Sequence, residues 1–364
     1  MLQNWTKPLS ATFLKNNVDA LPAGAFGKNL LLHTAEHLPD LKKVKAVLLG
    51  AGEKEANEVR AQLYRTAGAF PAGSVADLGN LRRADAALLI PVVYELLSGK
   101  VVPIILGSSD ELARAQFMAY QEAKALVNLA VVDERFRCGG PAEVYTSVLQ
   151  PRHPLLFHFG LVGYQIHQIL PEFIQFLTQN NFDALRLGRS RASIEETEPV
   201  LRDADLLAFH LAALKQNESP GVAGASPSGF TTEEACQLCR YAGMSDKLTS
   251  FGLYGYQRDL DRDAQTAQVS AQMVWYFLEG LFARKGDYPV ATTGLTEYIV
   301  DFRKLNYQLT FWKSTRSGRW WMQVPVPTKR KHERHRLVPC SYQDYQSACR
   351  EELPERLMQA LQRF

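Results

Sequence analysis

The sequence predicts an α/β protein: a three-layer α-β-α core on a mainly parallel sheet, with a small β-meander and helices added at the C-terminal end. Three observations carry that expectation. Val101–Arg137 reads as strand, loop, helix, strand, loop, because the apolar, β-branched runs Val101–Leu106 and Val127–Val132 flank a segment, Leu112–Leu126, whose apolar residues fall at helical spacing. Similar short apolar runs recur at Val44–Gly50 and Leu206–Phe209, each separated from the next by segments of helix length. Beyond Asp287 the pattern changes to strict apolar/polar alternation, the mark of half-buried antiparallel strands.

Taken in order, residues 1–43 are mixed in character and are expected to pack on the core as an N-terminal segment. His33 and His37 there stand four apart, one helical face apart if the segment is helical; a solvent-facing amphipathic turn accounts for them more simply than a metal site. Residues 44–286 form the core. Val44–Gly50 is its first buried strand, Glu55–Leu63 a helix, Val75–Asn80 a strand with its turn, and Ala86–Leu97 the helix that leads into Val101. Pro154–Gln165 fits a central strand, in which His158 reads as a hydrogen-bonded core residue and Tyr164, Gln165 and His167 as residues near the crevice end. Thr231–Glu234 opens a helix carrying Cys236 and Cys239; with no second CxxC or histidine pair, these read as small buried residues one turn apart. Ala267–Phe282 is a long apolar packing helix. In residues 287–364, Glu297–Phe302, Asn306–Lys313 and Gly318–Val324 form the meander, Trp312, Trp320 and Trp321 cover the flank of the main sheet, and Ser341 with Asp344 forms a capping box.

Parallel strands bind ligands in the crevice outside their carboxyl ends. Asp110, in the loop after the first strand of the opening unit, and Asp133, Arg135 and Arg137, after the second, are therefore expected to face one crevice. Asp203 and Asp205 precede the strand Leu206–Phe209, at its amino end, and belong to the opposite side of the sheet.

These residues carry a family resemblance. ILGSSDEL, ending at Leu112, is similar to ILGGDHSL of the ureohydrolases (arginase, agmatinase, formimidoylglutamase), and VVDERFR, ending at Arg137, is similar to their DAHxD strand end. Ala208–Gly221, AFHLAALKQNESPG, and Ser226–Glu234, SPSGFTTEE, resemble the SxDxDxxDP motif and the turns that follow it, and order and spacing agree from Val44 to Leu281. The resemblance implies an arginase-like fold and, in the family, two manganese ions held by six side chains. By position those six fall here on Asp110, Asp133, Arg135, Arg137, His210 and Ala212, so one ligand is retained in kind. Arginine has no lone pair to give and stays charged. The resemblance therefore implies a degenerate site, with Arg135 or Arg137 taking the place of the metals and neutralising Asp110 and Asp133. The family's substrate-binding glutamate falls near Tyr254 or Gly255, which leaves Tyr254, Tyr256 and Gln257 as ligand-binding candidates.

The resulting expectation is a catalytically inactive relative with a binding or scaffolding role and no cofactor. The alternative is a hydrolase of amidine, guanidine or formimino carbon–nitrogen bonds, using at most one manganese or zinc ion on Asp110, Asp133 and His210. The ligand, small molecule or protein, is open, and the family implies a homo-oligomer. At 364 residues, 46% hydrophobic and 22% charged, the chain can bury a large core, and a formal net charge of +3 gives no ground for nucleic acid as a partner. The basic run Lys329–Arg336 reads as a solvated loop. Five cysteines at irregular spacing form no disulfide framework. No apolar run approaches the roughly 18–20 residues of a membrane span, and a cytoplasmic location is expected.

Overall fold

A computed structural model of the chain describes residues 2–123, 126–135, 145–149, 154–302, 307–325 and 330–363. Arg137 and Lys329 lie outside the described residues. Among the described residues, ten strands form the central sheet: β1 (Thr6–Lys7), β2 (Leu31–Leu32), β3 (Ala46–Ala51), β4 (Val75–Leu81), β5 (Val102–Gly107), β6 (Val127–Val132), β7 (Leu156–Tyr164), β8 (Asp183–Arg186), β9 (Leu206–His210) and β10 (Ser250–Tyr254). Their order is β1-β4-β3-β5-β10-β9-β6-β7-β8, with β2 also on β4. Every pairing is parallel except that of β1 with β4.

The strands are apolar on both faces because both faces are covered. In β3, Ala46 and Leu48 join one core and Val47, Leu49 and Ala51 the other, as the twofold alternation of a strand requires. Helices Glu53–Leu63, Thr232–Gly243 and Gln265–Phe282 close the first core; Ala86–Ser98, Glu111–Glu122 and Pro171–Gln179 close the second. The Phe251 and Phe277 rings stack with centroids 4.6 Å apart, tying β10 to its packing helix. A buried ring of this kind contributes about 1.5–3 kcal/mol. These are the three layers expected from the sequence.

Three local expectations need correction. Residues 33–37 are not helical: His33 leaves β2 buried, its Nδ1 3.0 Å from the Leu78 carbonyl, while His37 is exposed in a turn with Thr34. The two histidines share no helical face. The added unit has four strands rather than three: β11 (Leu295–Phe302), β12 (Tyr307–Ser314), β13 (Trp320–Gln323) and β14 (Leu337–Cys340), antiparallel in that order. The run Lys329–Arg336 is not simply solvated, since its Arg334 pairs with Asp205 and its His335 stacks on Phe157 at 4.1 Å.

The added unit has its own core, in which Phe311, Trp320 and Met322 pack under the helices Tyr342–Cys349 and Glu355–Leu361. Arg202 joins it to the main domain, donating to the Trp320 and Cys340 carbonyls and lying 4.4 Å over the Trp321 ring. Among the described residues, no helix is long and apolar enough to cross a membrane.

Candidate functional site

The carboxyl ends of β5, β10, β9 and β6 are neighbours in the sheet, and the loops leaving them surround a crevice of about 200 Å³. Ser108 and Asp110 come from the loop after β5, Arg135 from the loop after β6, His210 from the end of β9, and Gly255 and Gln257 from the loop after β10; Ala212, Val222 and Ala223 complete the wall. Gly255 sits at φ +92°, a conformation that disfavours any side chain, so the lining there stays bare.

At the centre runs a chain of three side chains. Asp110 Oδ1 lies 3.1 Å from His210 Nδ1, and His210 Nε2 lies 3.0 Å from the Tyr145 hydroxyl. Asp110 is partly exposed to the crevice, whereas His210 and Tyr145 are buried. The His210 ring is held edge-on to Tyr145, and Tyr254 lies on another side of it at 5.7 Å.

The remaining candidates fall in different places. Asp133 is fully buried just beyond β6, where its Oδ1 accepts the Glu134 amide at 2.8 Å. Arg135 is exposed on the crevice wall, and among the described residues no ion pair joins it to Asp110 or Asp133. Of the two arginines expected to take the place of the metals, Arg135 does not act as a buried counter-ion, since an exposed guanidinium keeps its water, and Arg137 lies outside the described residues. Tyr254 and Tyr256 do not present their hydroxyls to the crevice. Tyr254 donates to Gln116 Oε1 at 2.9 Å on the far core, and Tyr256 to Asp261 Oδ2 at 3.0 Å. Burial raises the pKa of both well above the ordinary phenol value, with Asp261 adding to the effect on Tyr256.

Other candidates are structural. His158 Nε2 lies 2.9 Å from Asp183 Oδ2 at the start of β7. Cys236 and Cys239 are buried free thiols, and burial pushes the Cys236 pKa up to about 12. Gln165 donates to the Ser228 carbonyl at 2.8 Å. Asp203 and Asp205 hold Lys247 and the Asn128 amide at the amino end of the sheet. Nothing in the sequence pattern marks Tyr145, which belongs to a turn with no periodicity around it.

No family model matches the sequence, and no curated protein does. Solved structures do match the fold. A Trypanosoma cruzi formiminoglutamase superposes with a TM-score of 0.61 at 16% identity, over 67% of this chain and 96% of that one. A formimidoylglutamase from Bacillus subtilis gives 0.59 at 16%, over 68% and 91%, and an agmatine ureohydrolase of Thermoplasma volcanium 0.55 at 16%, over 75% and 99%. The fold is that of the ureohydrolases. The neighbours are spanned almost completely, while a quarter to a third of this chain has no counterpart in them.

Another structure of the T. cruzi formiminoglutamase is with Mn2+. The donors of the present crevice do not fit such a metal pair. Both ring nitrogens of His210 already have hydrogen-bonding partners, Ala212 has no donor atom, and Arg135 is a fixed cation. Among the described residues no group of three or more His, Cys, Asp or Glu side chains is arranged to hold a metal ion.

Proposed function

We propose that this chain is a ureohydrolase-fold protein that has exchanged hydrolysis for binding, with a crevice that works without a metal centre. The observation that carries this reading is the double engagement of His210. A histidine binds a metal through one nitrogen lone pair while its other nitrogen is oriented by a hydrogen bond. Here one nitrogen faces a carboxylate and the other a phenol, so a metal ion entering beside either must first break a hydrogen bond, part-buried on the Asp110 side and buried on the Tyr145 side. Asp110 and Asp133 alone are too few to hold two divalent ions at the roughly 3.5–4 Å separation that bimetallic hydrolysis uses. What remains is a polar crevice with an acidic side chain, a basic one and the amide of Gln257 on its walls, suited to a small polar ligand or to the polar tip of a protein partner.

Elemental analysis of the full-length protein, purified from manganese- and zinc-supplemented cells without chelator, tests the reading. The expected content is far below one metal per chain, unchanged by Asp133→Ala. One or more equivalents, lost in Asp133→Ala or His210→Ala, would instead establish the single-metal hydrolase on Asp110, Asp133 and His210. The homo-oligomer implied by the family is proposed with it, and light scattering of the eluting protein measures it directly.

A further inference from the structure

We propose that the free edge of β11 is where a second copy of this chain docks: the β11 strands of two molecules pair antiparallel about a twofold axis through Tyr298, joining their four-stranded sheets into one. The inference concerns the added unit and stands apart from the reading of the crevice.

A strand at the end of a sheet leaves half of its amides and carbonyls without a strand partner, and proteins ordinarily blunt such edges by keeping them short, by proline or lysine, by a bulge, or by covering them. β1, β2 and β8, each with one strand neighbour in the central sheet, have two to four residues. β14 has four, carries Pro339 and lies against the helix Glu198–Asp203, whose Arg202 donates to the Cys340 carbonyl. β11 departs from all of them. It runs for eight residues without proline, lysine or bulge, in unbroken register with β12, and β12 is its only strand partner among the described residues. Thr296, Glu297, Ile299 and Asp301 are exposed along it, Ile299 by 56%.

Charge and length choose the occupant and its register. Tyr298, Val300 and Phe302 face the helices of the added unit, so Glu297, Ile299 and Asp301 face away from them. Directly opposed residues share a face, and a twofold axis between two copies therefore passes through a residue and its own counterpart. An axis through Glu297 sets that carboxylate against itself, and one through Ile299 sets Glu297 against the partner's Asp301 twice, both destabilising. An axis through Val300 keeps only the five residues Tyr298–Phe302 of each strand in register, whereas one through Tyr298 engages seven, Leu295–Asp301. There Val300 meets Thr296, Ile299 meets Glu297 and Leu295 meets Asp301, with no like charges opposed. Tyr298, at the axis, is already held beside Trp320 and Tyr345, with centroids 4.9 and 5.7 Å away, so pairing orders little that is not ordered beforehand. Two strand edges make a small interface, and the dimer is a concentration-dependent one.

The test is the mass of the full-length protein by light scattering, from about 1 to about 200 µM, together with hydrogen exchange of β11 over the same range. In the wild type, every second amide of Thr296–Asp301 is expected to exchange about tenfold more slowly in the concentrated sample. Ile299→Lys sets an ammonium against the partner's Glu297 at two symmetric places and tightens the dimer; Ile299→Glu sets a carboxylate there and loosens it. Residue 299 is exposed, so both variants keep the fold. Their dissociation constants are expected to differ on the order of tenfold. Asp301→Lys, opposed to the partner's Leu295, changes the mass little. Equal masses and equal β11 exchange in Ile299→Lys and Ile299→Glu overturn the proposal, as an oligomer assembled through the core alone would give. A wild type that stays monomeric with unprotected β11 amides overturns it too, leaving the edge to a different protein. Loosening by Ile299→Lys with tightening by Asp301→Lys places the axis at Ile299 and overturns the register. None of these outcomes touches the metal content on which the reading of the crevice stands.

Discussion

Arg60 carries a fixed charge into the middle of the protein, and its guanidinium is engaged on every side. It donates to both oxygens of Asp77 at 2.7 and 3.0 Å, to Asn80 Oδ1 at 2.7 Å and to the Gly79 carbonyl, while Tyr64 donates to the same carboxylate at 2.8 Å. Burial by itself would lower the pKa of Arg60, but Asp77, Tyr64 and Glu53 together outweigh it and the guanidinium stays charged. Arg60→Met leaves Asp77 buried without its cation and is expected to cost about 3–5 kcal/mol, whereas Arg60→Met with Asp77→Leu is expected to recover most of that. Urea denaturation of the two variants measures both, and equal losses would show that the carboxylate finds another partner. The helix holding Arg60 was legible in the sequence, but its partner was not. In EANEVRAQL an arginine reads as a surface residue, and only the packing of that helix on β4 brings Asp77 beneath it. Tyr145 was missed for the same reason, since its meaning lies in a histidine far along the chain. Asp110, Arg135 and His210 were found because strand ends are readable, and the loops after parallel strands must converge.

At the scale of elements, length and type were readable while starts and stops were not. The apolar run from Ala267 announced the packing helix, yet the helix begins at Gln265 and is preceded by Ala264 at φ +53°. An alanine in the left-handed region is strained, since its Cβ crowds the backbone there. Asp261 compensates, accepting from the Thr266 and Ala267 amides at 3.2 and 3.1 Å. Ala264→Gly is therefore expected to stabilise the protein by roughly 0.5–1 kcal/mol, and Asp261→Ala to destabilise it by about 1–2 kcal/mol. Thermal unfolding of the pair reads both signs, and a destabilised Ala264→Gly would mean that unfolded-chain entropy outweighs the strain. The strand β14 escaped notice because it is four residues long, contains Pro339 and follows a basic run. Its place is decided by pairing with β13 rather than by its own pattern.

At the scale of the whole molecule, the crevice lies at the carboxyl pole of the sheet and the added unit is fastened to the amino pole. Arg334 pairs with Asp205 before β9, Arg363 with Asp183 at the start of β8, and Lys247 Nζ lies 2.8 Å from Asp203 Oδ1 and 3.3 Å from His335 Nδ1. His158, at the start of β7, belongs to this seam through Asp183 and is buried. Burial, then the charge of Arg363, lowers its pKa against the opposing pull of Asp183 and Asp203, so it is neutral in the folded protein. For Asp183, burial pulls the pKa upward, but Arg363, His158 and Arg356 together hold it far below the usual carboxylate range. Both folded pKa values are depressed, and both contributions are complete above the unfolded values, near 6.5 for histidine and near 4 for aspartate. As pH falls below about 6.5, unfolded His158 takes up a proton that the folded protein refuses, and stability declines by as much as about 1.4 kcal/mol per pH unit until the folded pKa is reached. The Asp183 contribution is untouched in that window and is lost only below about pH 4. Urea denaturation between pH 7.5 and 5 is expected to show this slope in the wild type and a clearly shallower one in His158→Gln, with the two converging in shape above pH 7. Identical slopes would mean that His158 is protonated in the folded seam, its charge held by Asp183, and that the added unit is fastened by one more ion pair than the burial of this histidine allows.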